Sequence, residues 1–155
     1  MRDLLRHEAL IQFTAWPNFM RPINHGWAVM NADPMSKAID TAQFGRLLAM
    51  AGPCTTHALL TQLQTDFSFA KHALLTAQHG MDWPQIRAQS HVIMGLAGTI
   101  GAGPMHKLAL QLNDNAHDPM ADPKITAQMI SEIVQAIDDA AQVLSHQLSA
   151  LGHPA

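Results

Sequence analysis

Ten histidines stand in a chain of 155 residues that has no tyrosine and one cysteine, Cys54. Histidine ordinarily titrates near neutral pH, so it can serve as metal ligand, proton carrier or nucleophile. Two histidines on one helix reach the same ion when they are three or four residues apart, and no two in this chain are. His72 and His79 are seven apart, as are His146 and His153; two helical turns separate such pairs by roughly 10 Å. No metal site is expected. Cys54 follows Pro53 at a helix start and has no partner motif, so it reads as structural. The chain has no phosphate-binding loop, dinucleotide fingerprint or nucleophile elbow.

His91 is the exception among the histidines. At about 100° per residue, Arg87, Ala88, Met94, Gly95 and Gly98 all fall within about 60° of it. Ile86, Ile93, Leu96, Ala97 and Ile100 fall on the opposite half. The apolar stripe should face a core and His91 should point outward, on ground left bare by Ala88, Gly95 and Gly98. Glycine within a helix costs about 1 kcal/mol relative to alanine. Two of them beside one histidine suggest that something approaches the helix closely, and a phosphoryl group or a partner surface would need that room. Met94 reads either as an exposed apolar residue or as part of a docking surface, since methionine adapts to varied partners.

Helices must position this face. Alanine, leucine, methionine and glutamine are abundant and valine is scarce, which favours helix over strand. Breaks fall at Gly52-Pro53, Gly80 to Pro84, Gly101 to Pro104 and Pro119 to Pro123. Between them five helices are predicted, over about 40–51, 53–79, 82–100, 104–117 and 122–152. Asp82 and Asp122 are the expected N-caps of the third and fifth. The predicted inward stripe of the fifth is Ile125, Met129, Ile133, Ile137, Ala140, Leu144, Leu148 and Leu151. Four long amphipathic helices joined by short breaks predict an all-α fold: an antiparallel up-down four-helix bundle over residues 36–152. The short additional N-terminal helix would cap one end. Residues 1–35 hold Phe13, Trp16, Phe19 and Trp27 without clear periodicity. They read as an extension packed on the bundle, a tail upstream of a later start such as Met30 or Met35, or a dimer or partner contact.

The run His91-Val92-Ile93-Met94-Gly95-Leu96-Ala97-Gly98-Thr99-Ile100-Gly101-Ala102 resembles the signature of histidine-containing phosphotransfer (HPt) domains. In that family a histidine is followed by any residue, a leucine-like residue, lysine, glycine, small residues and an aliphatic–glycine–alanine turn. Met105, Leu108, Ala109 and Leu112 are similar to the family's next helix, and the resemblance spans roughly residues 38 to 150. It implies that His91 is a phosphoacceptor, taking a phosphoryl group from the aspartyl phosphate of a response-regulator receiver domain, and that Gly95 leaves space for the phosphoryl oxygens. It implies a monomeric phosphocarrier of two-component phosphorelay rather than a stand-alone enzyme, with no ATP-binding region found. The cytoplasmic reading comes instead from the single cysteine, which fits a reducing compartment, and from the start of the chain. Receivers and a hybrid histidine kinase are the implied partners. No cofactor is expected on this chain, and the magnesium ion would sit on the receiver. One position departs from the pattern: Met94 stands where the family has lysine. Arg87, one turn before His91, and Lys107 on the next helix are the candidates to supply the missing charge. The alternative reading is a degenerate module that binds receivers without transfer.

Composition agrees with a soluble single domain of this kind. Apolar residues make up 48% and charged residues 14% of the chain, with 9 basic and 12 acidic residues giving −3. A chain this apolar is not expected to be disordered, and no basic excess draws it to nucleic acid or anionic lipid. Arg2, Asp3, Arg6, His7 and Glu8 interrupt the start, so no signal peptide is read there.

Overall fold

The computed structural model describes residues 38–152, which lie within the unit Asp33–Ala155. The readings made for residues 1–35 and for His153 fall outside the described residues. The described part is all-helical, with no strand: α1 (Thr41–Ala51), α2 (Pro53–Gly80), α3 (Trp83–Ile100), α4 (Gly103–His117) and α5 (Pro123–Leu151).

Local chemistry sets the ends of these helices. The carboxylates of Asp40, Asp82 and Asp122 accept from the backbone N–H groups of Gln43, Gln85 and Lys124 at 2.9, 3.1 and 2.8 Å. Each satisfies a donor that the first turn leaves without a helical partner. Pro53, Pro84, Pro104 and Pro123 occupy the first turns of α2 to α5, where the missing N–H is no loss. α3 stops at Gly101, whose φ of 75° is left-handed. There the N–H of Ala102 donates to the Ala97 carbonyl at 2.8 Å and closes the turn. α2 ends in the same way at Met81, a left-handed residue without glycine's freedom.

Each long helix buries one stripe. α2 buries Leu60, Leu63, Phe67, Ala70, Leu74 and Ala77; α3 buries Ile86, Ser90, Ile93, Ala97 and Ile100; α4 buries Met105, Ala109, Leu112 and Ala116. On α5 the buried row is Thr126, Ile130, Ile133, Ile137, Ala140, Val143 and Leu144. This corrects the sequence-based stripe at its ends, because Ile125 and Leu151 are exposed. The predicted row began in steps of four, and each such step turns about 40° past the last on a helix of 3.6 residues per turn. The buried row alternates steps of three and four and so stays on one side.

The main helix contacts are α2 with α3 and α5, and α4 with α3 and α5. Two pairs reveal their direction through side-chain bonds. Gln64 Nε2 donates to Ser145 Oγ at 2.7 Å, and seven residues on, Lys71 Nζ pairs with Asp138 at 2.5 Å, seven residues back along α5. α2 and α5 are therefore antiparallel. α1 lies across the end of α3: the Asp40 N–H donates to the Gly101 carbonyl at 2.8 Å and Gln43 Nε2 to the Gly98 carbonyl at 2.8 Å. Its buried anchors are Ile39 and Phe44. No described helix is long and apolar enough to cross a membrane.

Phe67 is fully buried on α2, whereas Phe69 on the same helix is 72% exposed. Phe67→Ala is expected to lower unfolding free energy by about 3–5 kcal/mol, while Phe69→Ala should stay within about 0.5 kcal/mol of the parent. Urea denaturation of the two variants measures the difference. Equal losses would show that the buried stripe of α2 is wrongly placed.

Candidate functional site

α3 projects His91 outward because its other side is committed to the core. Ile86, Ile93, Ala97 and Ile100 have no exposed surface, and the residues half a turn away from them lie on the exposed face. His91, Ala88, Val92, Gly95, Gly98 and Thr99 are all exposed. The face is uncharged apart from what the histidine carries. Ser90, beside His91 in sequence, is buried and returns its hydroxyl hydrogen to the Ile86 carbonyl at 2.7 Å.

The glycines differ in their surroundings. A methyl group on Gly95 would meet nothing within 4 Å, while one on Gly98 would touch His106 Cδ2 at 3.9 Å, ordinary van der Waals contact. Nothing inside the described chain therefore requires glycine at 95. Gly45 in α1 is likewise unopposed, so open space alone marks no site. At Gly95 the open space lies one turn from an exposed histidine.

Two contacts fix the register of α4 beside α3. Gly98 faces His106, and Arg87 Nη1 donates to the Ala116 carbonyl at 3.0 Å. Eleven residues back along α3 correspond to ten forward along α4, so the pair is antiparallel and His91 stands level with Leu112 and Asn113. Arg87 is half-buried and its head is held at the last turn of α4, where carbonyls lack helical partners. It remains one turn from His91, with one guanidinium edge engaged. Met94 is half-buried and packs against the core. This differs from the expectation of an exposed apolar residue, since Met94 sits on the shoulder of α3 between its exposed face and its buried stripe. Lys107 is exposed but lies six residues short of the level of His91, roughly 9 Å along the axis.

Sequence reasoning passed over the α4 side of this seam. His106, Leu110, Asn113 and His117 recur at spacings of four, three and four, a single row along α4. The contact of His106 with Gly98 turns that row toward α3. The ring of His117 folds back so that Nδ1 lies 2.7 Å from the Asn113 carbonyl. The 4-3-4 spacing was the available signal, and it runs beside the apolar row of the same helix. Among the described residues no group of three or more histidine, cysteine, aspartate or glutamate side chains could hold a metal ion.

No family model, curated protein or solved structure matches the chain.

The two glycines of the motif with contrasting backbones should respond in opposite directions. Gly95→Ala is expected to raise unfolding free energy by up to about 1 kcal/mol, because helix propensity improves and nothing is displaced. Gly101→Ala is expected to lower it by about 1–2 kcal/mol, since its left-handed φ disfavours a Cβ and that Cβ would press on Asp40 and Gln43 at 3.1 Å. Thermal and urea unfolding of both variants provide the check. A loss of stability at Gly95→Ala would point to an internal contact for that position.

Proposed function

We propose that this chain is a histidine phosphotransfer protein of two-component signalling, with His91 as the phosphoacceptor. The observation that carries the reading is an exposed histidine on a bare helix face, set in the ordered motif from His91 to Ala102. The neutral imidazole is a nucleophile. Its ring nitrogen would attack the phosphorus of a receiver's aspartyl phosphate, the bond from phosphorus to the carboxylate oxygen would break, and the aspartate would leave as a free carboxylate. The receiver would bring that aspartate and its magnesium ion, and this chain would bring the nucleophile and a surface flat enough to let the receiver close in. Gly95 and Gly98 keep that surface low. Arg87 lies one turn away as the nearest fixed cation.

The antiparallel up-down four-helix bundle with a short additional N-terminal helix belongs to the same proposal. Its support is that each long helix packs mainly on two others and that the pairs α2/α5 and α3/α4 run antiparallel. In this reading the protein is a cytoplasmic phosphocarrier that works as a monomer with receiver domains and a hybrid histidine kinase, and it binds neither nucleic acid nor membrane.

A second reading is favoured by one observation. Met94 is half-buried at the position where the resemblance expects lysine, so the chain could dock receivers as a degenerate module without carrying phosphate. Phosphotransfer profiling separates the two. With the host's phosphorylated receivers, the phosphocarrier is expected to take up label, and His91→Gln should abolish it. The docking module would bind receivers without label in either form. Neither binding nor label across all receivers would overturn both.

A further inference from the structure

The missing lysine raises the question of what else could face a phosphoryl group on His91. The seam with α4 supplies an answer, which rests on the phosphocarrier reading above. Arg87 is bonded to the carbonyl of Ala116, the residue before His117. His117 itself is exposed and is the last residue of α4. Because a carbonyl only accepts, the 2.7 Å contact from His117 Nδ1 to the Asn113 oxygen needs hydrogen on Nδ1. That bond holds the ring back along α4, between the levels of His117 and Asn113 and so toward the level at which His91 stands on α3. Side chains on a helix lean toward its N-terminus. On antiparallel helices the side chains of His91 and His117 therefore lean toward one another. With Nδ1 committed to the carbonyl, Nε2 is the nitrogen left for a ligand.

The geometry points to His117 as a positioning residue of the His91 site, its Nε2 donating to a phosphoryl group carried on His91 and sharing the charge of that group with Arg87. The other charged or titratable groups on these two helices are placed less well for it. His106 lies against Gly98, two turns from His91. Lys107 is short of the level of His91, and Asp114 is exposed on α4 and carries the wrong sign. An imidazole at position 117 would thus do from the neighbouring helix what Met94 does not do from α3.

The test uses phosphoramidate as a small donor, with no receiver present. The free nitrogen of the neutral His91 ring bonds to phosphorus as the bond from phosphorus to the donor's nitrogen breaks. Ammonia leaves and takes up the proton released from the other ring nitrogen. Intact-mass spectrometry follows the labelling rate at pH 7, and peptide mapping locates the label. His117→Gln should keep a donor for the Asn113 carbonyl but no charge, and it is expected to label His91 about three- to tenfold more slowly. His117→Arg should return the rate to within about twofold of the parent. Adding Met94→Lys to His117→Gln should also restore it, because the lysine makes the second imidazole dispensable. Position 117 is exposed, and thermal melts confirm that the variants are folded.

A rate for His117→Gln equal to the parent's would overturn the inference, as would His117→Arg being as slow as His117→Gln. So would failure of phosphoramidate to label the parent at His91. The phosphocarrier reading is judged separately by the receiver experiment, so the two failures are told apart.

Discussion

Ala97 of α3 and Ala109 and Ala116 of α4 are all buried, and side chains this short let two helices lie close. α3 and α4 make the most extensive contact of any helix pair. The close seam has two consequences for the site. It brings the α4 carboxyl end within reach of Arg87, whose guanidinium answers the unpaired Ala116 carbonyl. It also carries the row His106, Leu110, Asn113 and His117 up beside the bare strip of α3. The His91 face is therefore the rim of a helix pair rather than the side of a single helix.

Charge contributes little to holding these helices in place. Among the described residues one ion pair is found, Lys71 with Asp138, and both side chains are partly exposed, where such pairs are worth roughly 0–1 kcal/mol. Gln64 with Ser145 adds a neutral bond on the same seam. Burial of apolar stripes must then supply most of the stability. That leaves the surface free of structural obligations, and the strip around His91 can be as neutral as it is because no charge there is needed for folding. Arg87 is the exception, since its positive charge does structural duty at Ala116 and is still one turn from His91.

The sequence made the helices legible because their punctuation is local. Asp82 and Asp122 cap as their positions predict, and predicted boundaries fall within two residues of the observed ones. His91 pointing outward was readable from the opposite stripe alone. Buried hydroxyls were not readable, because each is satisfied by a partner the pattern hides. Ser90 and Thr126 bond back to carbonyls four residues earlier, and Thr126 also accepts from Asn115. Left-handed Met81 escaped as well, since glycine is the usual residue for that conformation. The partners of Arg87 and Met94 depend on how far α4 slides along α3. That offset is a property of two helices, and the periodicity of either one alone does not contain it.

The same offset separates the two glycines that looked equivalent in the motif. A methyl on Gly98 would meet the imidazole of His106 at ordinary van der Waals distance, so a neighbour within the chain borders that position. Gly95 faces open space, so a stabilising alanine would fit there. A helix that keeps glycine where alanine fits forgoes about 1 kcal/mol of helix propensity. For Gly45 that loss has no visible counterpart among the described residues. For Gly95 the counterpart is position: it lies one turn beyond an exposed imidazole, on a strip with no other charge, beside a seam that holds an arginine and a second imidazole. In the proposed phosphocarrier, a phosphoryl group on His91 would extend its oxygens over that strip, and a methyl at 95 would stand where those oxygens, or the surface delivering them, would come.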